Sequence, residues 1–201
     1  IAENKEDARS SFYTYETKEQ ALTFKAENSP YYQSLNGEWL FHWSVNPASR
    51  PEKFYEETFD RSQWKTIPVP SNWELQGYDI PIYVNQPYEW TKNPQPPLVP
   101  KTYNPVGSYF REFNLPEHWN EKNIFVHFGA VESAFYLFVN GQQVGYSQGS
   151  KLPAEFDITQ YIKPGKNTLA AEVYRWSDGS YLECQDFWRI SGIERDVFLM
   201  A

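Results

Sequence analysis

The run AFYLFVNGQQVGYS, Ala134 to Ser147, constrains the fold most tightly. Two aromatic and aliphatic stretches flank Asn140-Gly141, a dipeptide that closes a two-residue β-hairpin because both positions accept positive φ. Similar punctuation recurs along the chain. Asn36-Gly37 leads into GEWLFHW, and Pro164-Gly165 leads into KNTLAAEVYRW. SYFREFNL alternates, with Tyr109, Arg111 and Phe113 opposite Phe110, Glu112 and Asn114. NIFVHFG sets Ile124, Val126 and Phe128 on one face, with His127 pointing away from it. Asp196 to Met200 begins a last strand, and Phe54 to Trp64 is expected to carry a short strand and a polar loop. Aromatic residues make up 18% of the 201, and such side chains favour strands. Fifteen prolines and ten glycines supply turns. Many short strands at this spacing predict an all-β fold, a two-layer β-sandwich of jelly-roll type.

Two regions interrupt this rhythm. Residues 1–30 are charged and weakly periodic, and are read as an irregular N-terminal extension to a sandwich over 31–201. Within them, KEDARSSF and TKEQALTF are read as helical turns or as a peptide lying on a neighbouring surface. Ile67 to Tyr88 contains Pro68, Pro70, Pro81 and Pro87, and five more prolines follow by Pro105. Proline breaks helix and sheet alike, so this long segment is expected to be irregular, and such segments are usually functional or packed on a partner.

Charge narrows the chemistry. The net charge is −8, which repels phosphate backbones and argues against nucleic acid as a partner. The apolar runs are too short to span a bilayer. The polar start carries no visible signal peptide, and without an initiator Met the chain reads as part of something longer. Cys184 is the lone cysteine, so no internal disulfide forms; a reduced cytosol and a periplasm fit equally.

The densest functional signal is RWSDGSYLECQDFWRISGIERDV, Arg175 to Val197. It mixes Asp178, Glu183, Asp186, Glu194 and Asp196 with Trp176, Tyr181, Phe187 and Trp188. An apolar core rarely holds so many carboxylates. Carboxylates beside flat aromatic faces suit sugar hydroxyls or a hard cation. Asp186 leads the candidates for contacting a sugar or a cation, against a loop anchor that accepts backbone N–H bonds. Asn85 can donate and accept at a sugar's paired hydroxyls, against a turn-forming Asn. Asp178-Gly179-Ser180 reads as a turn with Gly179 at positive φ. Glu183 with Asp178 or Asp186 would form a glycosidase pair only at a fixed separation; an ion-paired cluster using Arg175, Arg189 and Arg195 is the preferred reading. Most of Trp39, Trp43, Trp73, Trp90, Trp176 and Trp188 are expected in the core, leaving one or two to stack on a ligand. The three histidines lack metal-ligand spacing, and Cys184 is not expected to act as a nucleophile.

Taken together, SLNGEWLFHW, VPSNWELQGYDIPIYVNQPY, NPVGSYFREFNLPEHW, FVNGQQVGYSQGSKLPAEFDIT and the Arg175–Val197 run resemble the N-terminal sugar-binding domain of glycoside hydrolase family two β-galactosidases of the large bacterial type. The second run resembles that branch and not the β-glucuronidase or β-mannosidase branches. The resemblance implies a galactose-binding-domain-like jelly roll and a parent enzyme that hydrolyses terminal β-galactosides with retention. It implies that the two catalytic glutamates lie on a later (β/α) barrel, so that no catalytic residue is expected in this chain and none of its own activity. It implies that Asn85 and Asp186 line the galactose pocket, with Asp186 also a ligand to sodium; magnesium is implied for the parent enzyme. The remaining partners would be later domains of the same polypeptide and further subunits, and Asp7 to Arg9 would belong to a peptide that helps assembly. Cys184 stands where some relatives carry a carboxylate, and Gln86 is expected at the pocket rim. A freestanding carbohydrate-binding module and a purely structural assembly domain are the alternatives.

Overall fold

A computed structural model describes residues 1–85 and 88–201. The expected all-β sandwich is what the strands form. Seven antiparallel strands make the larger sheet, in the order Ala2–Glu3, Gln142–Gln148, Ala134–Val139, Gly165–Tyr174, Val106–Leu115, Gly37–Ser44, Lys65–Val69. Four make the smaller one, in the order Ala154–Asp157, Phe125–Phe128, Val197–Met200, Tyr32–Ser34. Alternation sends Trp39, Phe41, Tyr109, Phe135, Leu137 and Val173 from the first sheet against Val126, Phe128, Phe156 and Leu199 from the second. Phe135 spans the layers, with ring centroids 4.9 Å from Phe128 and 5.9 Å from Phe156. Asn140 and Gly141 both take positive φ, as the hairpin requires.

Three expectations need correction. Phe54 to Trp64 holds no strand; it is a run of turns laid across the outside of the larger sheet. Its aromatics cover Phe110, Phe138 and Ala170, with Tyr55 stacked 4.0 Å from Phe138. The Arg61 guanidinium lies over the Phe110 ring and donates to the carbonyls of Phe54 and Glu56, which satisfies backbone that no ladder serves. The proline-rich segment is more regular than expected: Lys65–Val69 is an edge strand, where Pro68 is tolerated. Ser71–Asn72 and Ile82–Val84 also pair in smaller sheets. Gly179 takes φ −60°, not a positive value, and opens the short helix Ser180–Glu183.

Residues 1–30 run over the surface of the sandwich. Glu6 N–H donates to the Glu155 carbonyl, and Arg9 makes a bidentate pair with the Glu155 carboxylate. Within TKEQALTF, Thr17 and Gln20 form a capping box on the helix Lys18–Ala21, whereas KEDARSSF makes no helix. His127 turns from the core, stacks on Phe198 and contacts Glu155. No helix among the described residues is long and apolar enough to cross a membrane.

Where the strand Gly165–Tyr174 leaves the sheet, Arg175 enters the interior. Its guanidinium donates to Asp79, and to the carbonyls of Ile80 and Arg189, each at 3.2 Å. Glu74 Oε1 lies 3.7 Å away. All three ionisable side chains are buried at their tips. One cation thus faces two carboxylates. Burial is the main cause that raises Glu74 to a pKa of about 7; the Ser191 N–H and Arg175 oppose it. An Arg175→Ala variant leaves buried carboxylate without its cation and should cost about 3–5 kcal/mol of unfolding free energy in a urea titration. A loss within error of zero would show that water replaces the guanidinium.

The pH dependence has a definite sign. Because the folded state raises the Glu74 pKa, this residue's contribution is fully present below the ordinary carboxylate range and is lost as pH rises through about 7. Glu74→Gln keeps an acceptor for the Ser191 N–H but does not ionise. Relative to wild type, the variant should therefore gain stability as pH rises from about 4.5 to about 7.5. Parallel pH profiles of unfolding free energy would refute this.

Candidate functional site

Two short strands build the site. Ile82–Val84 comes from the proline-rich segment and Phe187–Arg189 from the carboxylate-rich run. They pair antiparallel, with Val84 opposite Phe187, Tyr83 opposite Trp188 and Ile82 opposite Arg189. Asn85 follows Val84 and Asp186 precedes Phe187, so both adjoin the same end of the ribbon. These two residues, singled out by different sequence segments, are both exposed.

Strand alternation divides the ribbon into two faces. Arg189 on the inner face is buried; its guanidinium contacts Glu89 at 3.3 Å and donates to the Phe187 carbonyl. Tyr83 and Trp188 on the outer face are each 53% exposed, with ring centroids 5.6 Å apart. The Tyr83 hydroxyl donates to Asp186 Oδ1 at 2.5 Å. That bond, together with the carboxylate's charge, holds the Tyr83 phenol above its usual range. Trp39, Trp73 and Trp176 are buried, so Trp188 is the exposed member of the candidate set beside Asp186. Sequence reasoning gave Tyr83 no role. The signal was its place two residues before Asn85, which puts both on one face of an extended strand.

The other carboxylates of the run have structural partners. Asp178 accepts from Gln148 Nε2 at 2.7 Å and from the Gly179 N–H at 3.0 Å. Glu183 accepts from the backbone N–H and hydroxyl of Ser150, at 2.8 and 2.7 Å. Glu194 takes Lys151 Nζ at 2.9 Å and Asn72 Nδ2 at 2.9 Å, and Asp196 takes Asn36 Nδ2 at 2.9 Å. The expected ion-paired cluster within the run does not form. Arg175 and Arg189 instead pair with Asp79 and Glu89 from the proline-rich segment, because both guanidiniums point inward across the ribbon. Lys151 also bridges Glu132 at 2.6 Å; burial raises Glu132 to a pKa of about 7 against the pull of that ammonium.

Beneath the ribbon, aromatic contacts tie the two segments together. The Tyr88 hydroxyl donates to the Tyr181 carbonyl at 2.9 Å, and Trp90 packs on Trp176 and Tyr181 at 5.4 Å each. Trp176 Nε1 donates to Glu89 at 2.6 Å. Cys184 lies over Glu89, and burial with that carboxylate pushes its thiol up to about 12, far from a thiolate nucleophile at neutral pH. Gln86, expected at a pocket rim, and Pro87 lie outside the described residues. Among the described residues, no three His, Cys, Asp or Glu side chains gather to hold a metal ion. Asp186 offers one hard oxygen donor set, which fits a hard cation as one ligand among several and not as a complete site.

Comparison with known proteins identifies the family. Residues 32–201 match the family described as glycosyl hydrolases family 2, sugar binding domain. The chain is 50% identical over 200 residues to a β-galactosidase of Priestia megaterium, covering 98% of the chain and 19% of that protein. It is 47% identical over 201 residues to a β-galactosidase of Halalkalibacterium halodurans, covering 99% of the chain and 20% of that protein. The chain thus spans about a fifth of the length of these relatives. Among solved structures, a β-glucuronidase of Bacteroides uniformis superposes with a TM-score of 0.63 at 26% identity, over 84% of this chain and 17% of that one. The chain belongs to the sugar-binding domain family of the family 2 glycosyl hydrolases.

Proposed function

We propose that this domain completes the galactose subsite of a β-galactosidase that hydrolyses terminal β-D-galactosides with retention. The observation that carries the reading is the ribbon end, which Asn85 and Asp186 flank, both exposed, beside the half-exposed rings of Tyr83 and Trp188. Asn85 supplies a donor and an acceptor; Asp186 supplies acceptors. Tyr83 occupies one lone-pair direction of Asp186 Oδ1 and fixes the carboxylate's orientation, leaving its other positions for a sugar hydroxyl or a cation. The names of the relatives support galactose as the sugar.

Sodium is the cation this carboxylate would help hold, with its remaining donors from later domains. It would neutralise Asp186 and coordinate a sugar oxygen. The chemistry itself would belong to two glutamates on a later barrel, and magnesium is implied for the parent enzyme as a whole. Assembly with further domains and subunits is the domain's second role. The exposed Phe12, Leu22 and Phe24 of the N-terminal segment offer apolar contact for it.

In a β-galactosidase carrying this domain, Asp186→Ala removes charge-assisted bonds of about 1.5–3 kcal/mol, roughly 10- to 150-fold in kcat/KM if they tighten in the transition state. The variant should also lose most of its activation by sodium. Wild-type rates and sodium response in a normally folded variant would exclude the role. The 201-residue chain alone should release no product from a chromogenic galactoside; turnover above an uncatalysed blank would place catalytic machinery within it.

A further inference from the structure

We propose that Lys151 is a positioning residue for the site at the ribbon end: from a loop that crosses between the two sheets, its ammonium grips the Phe187 ring and so sets the segment that carries Asp186. The inference rests on the role proposed above for Asp186. Residues 149–153 join the strand Gln142–Gln148 of the larger sheet to Ala154–Asp157 of the smaller one. None of the five is buried, and Leu152 is 65% exposed, so deep apolar packing does not fix the loop's shape. Its backbone is nonetheless strained. Lys151 takes φ +66°, in the left-handed region that residues other than glycine avoid, and such a conformation persists only where the surroundings hold it. Within the loop, the Leu152 N–H donates to the Gly149 carbonyl at a long 3.3 Å. The firmer restraint comes from two side-chain grips, and both land on the chain around Asp186.

The first grip is Ser150. Its backbone N–H and hydroxyl donate to the two oxygens of Glu183, which lies shortly before Asp186 in the chain. The second is Lys151. Its ammonium lies 5.3 Å from the centroid of the ring of Phe187, the residue that follows Asp186. The Arg189 guanidinium lies 5.0 Å from the same centroid. One ring therefore attracts a cation from its own strand and a cation from the crossing loop. Two carboxylates fix the ammonium in turn, Glu194 at 2.9 and 3.0 Å and Glu132 at 2.6 Å. Burial would lower the lysine's pKa, but the bonds and charges of Glu132 and Glu194 outweigh it and raise the value, so the side chain is a cation at neutral pH. Glu132 lies on, and Glu194 directly follows, the paired strands Val131–Glu132 and Gly192–Ile193. The path thus runs from paired backbone, through Lys151, to Phe187. Tyr83 orients the Asp186 carboxylate from the facing strand; Ser150 and Lys151 set the backbone that carries it.

The test is a double-mutant cycle in a full-length β-galactosidase carrying this domain. Lys151→Met keeps the apolar stem and removes the charge; it should lower kcat/KM about 2- to 30-fold, the span of a cation–π contact. Lys151→Arg keeps a cation that can lie on a ring and pair with carboxylates, and should restore the rate to within about twofold of wild type. In an Asp186→Ala background, Lys151→Met should lower the rate little further, because the carboxylate it positions is gone. A merely structural role would give the same loss in both backgrounds. Phe187→Leu keeps apolar bulk without the π face, should reproduce the Lys151→Met loss, and decides the matter if Lys151→Met does not fold. A crystal structure of the Lys151→Met enzyme should show the Phe187 ring and the Asp186 carboxylate displaced. Wild-type kcat/KM in folded Lys151→Met or in Phe187→Leu, equal losses with and without Asp186, or an unmoved Asp186 carboxylate would overturn the proposal. A silent Lys151→Met beside an impaired Asp186→Ala removes this inference alone; a silent Asp186→Ala removes the proposed function and this inference with it.

Discussion

The site depends on two buried guanidiniums. Arg175 reaches from the end of a core strand to Asp79 and Ile80 on one side and to the Arg189 carbonyl on the other. It therefore holds both arms of the ribbon at their inner end. Arg189, whose carbonyl accepts from Arg175, pairs with Glu89 and donates toward the Val84 carbonyl at 3.5 Å. Burying such charges is unfavourable unless each is paired and hydrogen-bonded. Planar guanidiniums meet that demand with several donors in fixed directions. A lysine at either place would supply one compact point charge, without the planar fork that spreads donors toward two backbone segments and a carboxylate.

This anchoring explains how an irregular, proline-rich segment becomes a rigid part of the structure. Prolines remove donors and break ladders, so the segment satisfies its polar groups with side chains. Asp79 takes Arg175 and the Tyr103 hydroxyl. Burial, reinforced by that bond to Asp79, raises the Tyr103 phenol to a pKa of about 12. Glu74 takes the Ser191 N–H, and Glu89 takes Arg189 and Trp176. The carboxylates that look functional by their number are mostly engaged in this way. Their job is to hold two loops against one end of a sandwich, so that a few side chains on the outer face stand in fixed positions.

The sandwich itself was legible from sequence because its rules are local. The Asn140-Gly141 hairpin and the alternation of Ile124, Val126 and Phe128 need only period and turn chemistry. The Phe54–Trp64 segment was misread because its aromatics have strand-like composition but pack as an unpaired cover, and composition alone does not distinguish the two. Gly179 was misassigned because Asp-Gly favours a turn, yet here the Asp178 side chain accepts the Gly179 N–H and the chain continues into a helical turn. The inward direction of Arg175 and Arg189 was hidden for a different reason. Their partners lie 96 and 100 residues earlier, and nothing in the local pattern of RWSDGSYLECQDFWR records a contact at that separation.

The division of labour among the carboxylates bears on what such a surface can do. Hydrolysis of a glycosidic bond by two carboxyl groups requires them to face each other across a sugar, about 5–5.5 Å apart for retention or roughly 6.5–9.5 Å for inversion. Asp178 and Glu183 are tied to Gln148 and Ser150, and Glu194 and Asp196 to Lys151 and Asn36. Asp186 is the member of the run that stands exposed with a single hydroxyl bonded to it. A lone oriented carboxylate beside an amide and two open aromatic faces can bind and orient a sugar. General acid–base or nucleophilic work needs a second carboxyl on the opposite side, and the ribbon end faces outward, where another part of a longer polypeptide could supply it. The fold is shared with a β-glucuronidase at 26% identity. On that common frame, sugar preference would rest on the few outward side chains of the ribbon and not on the sandwich beneath.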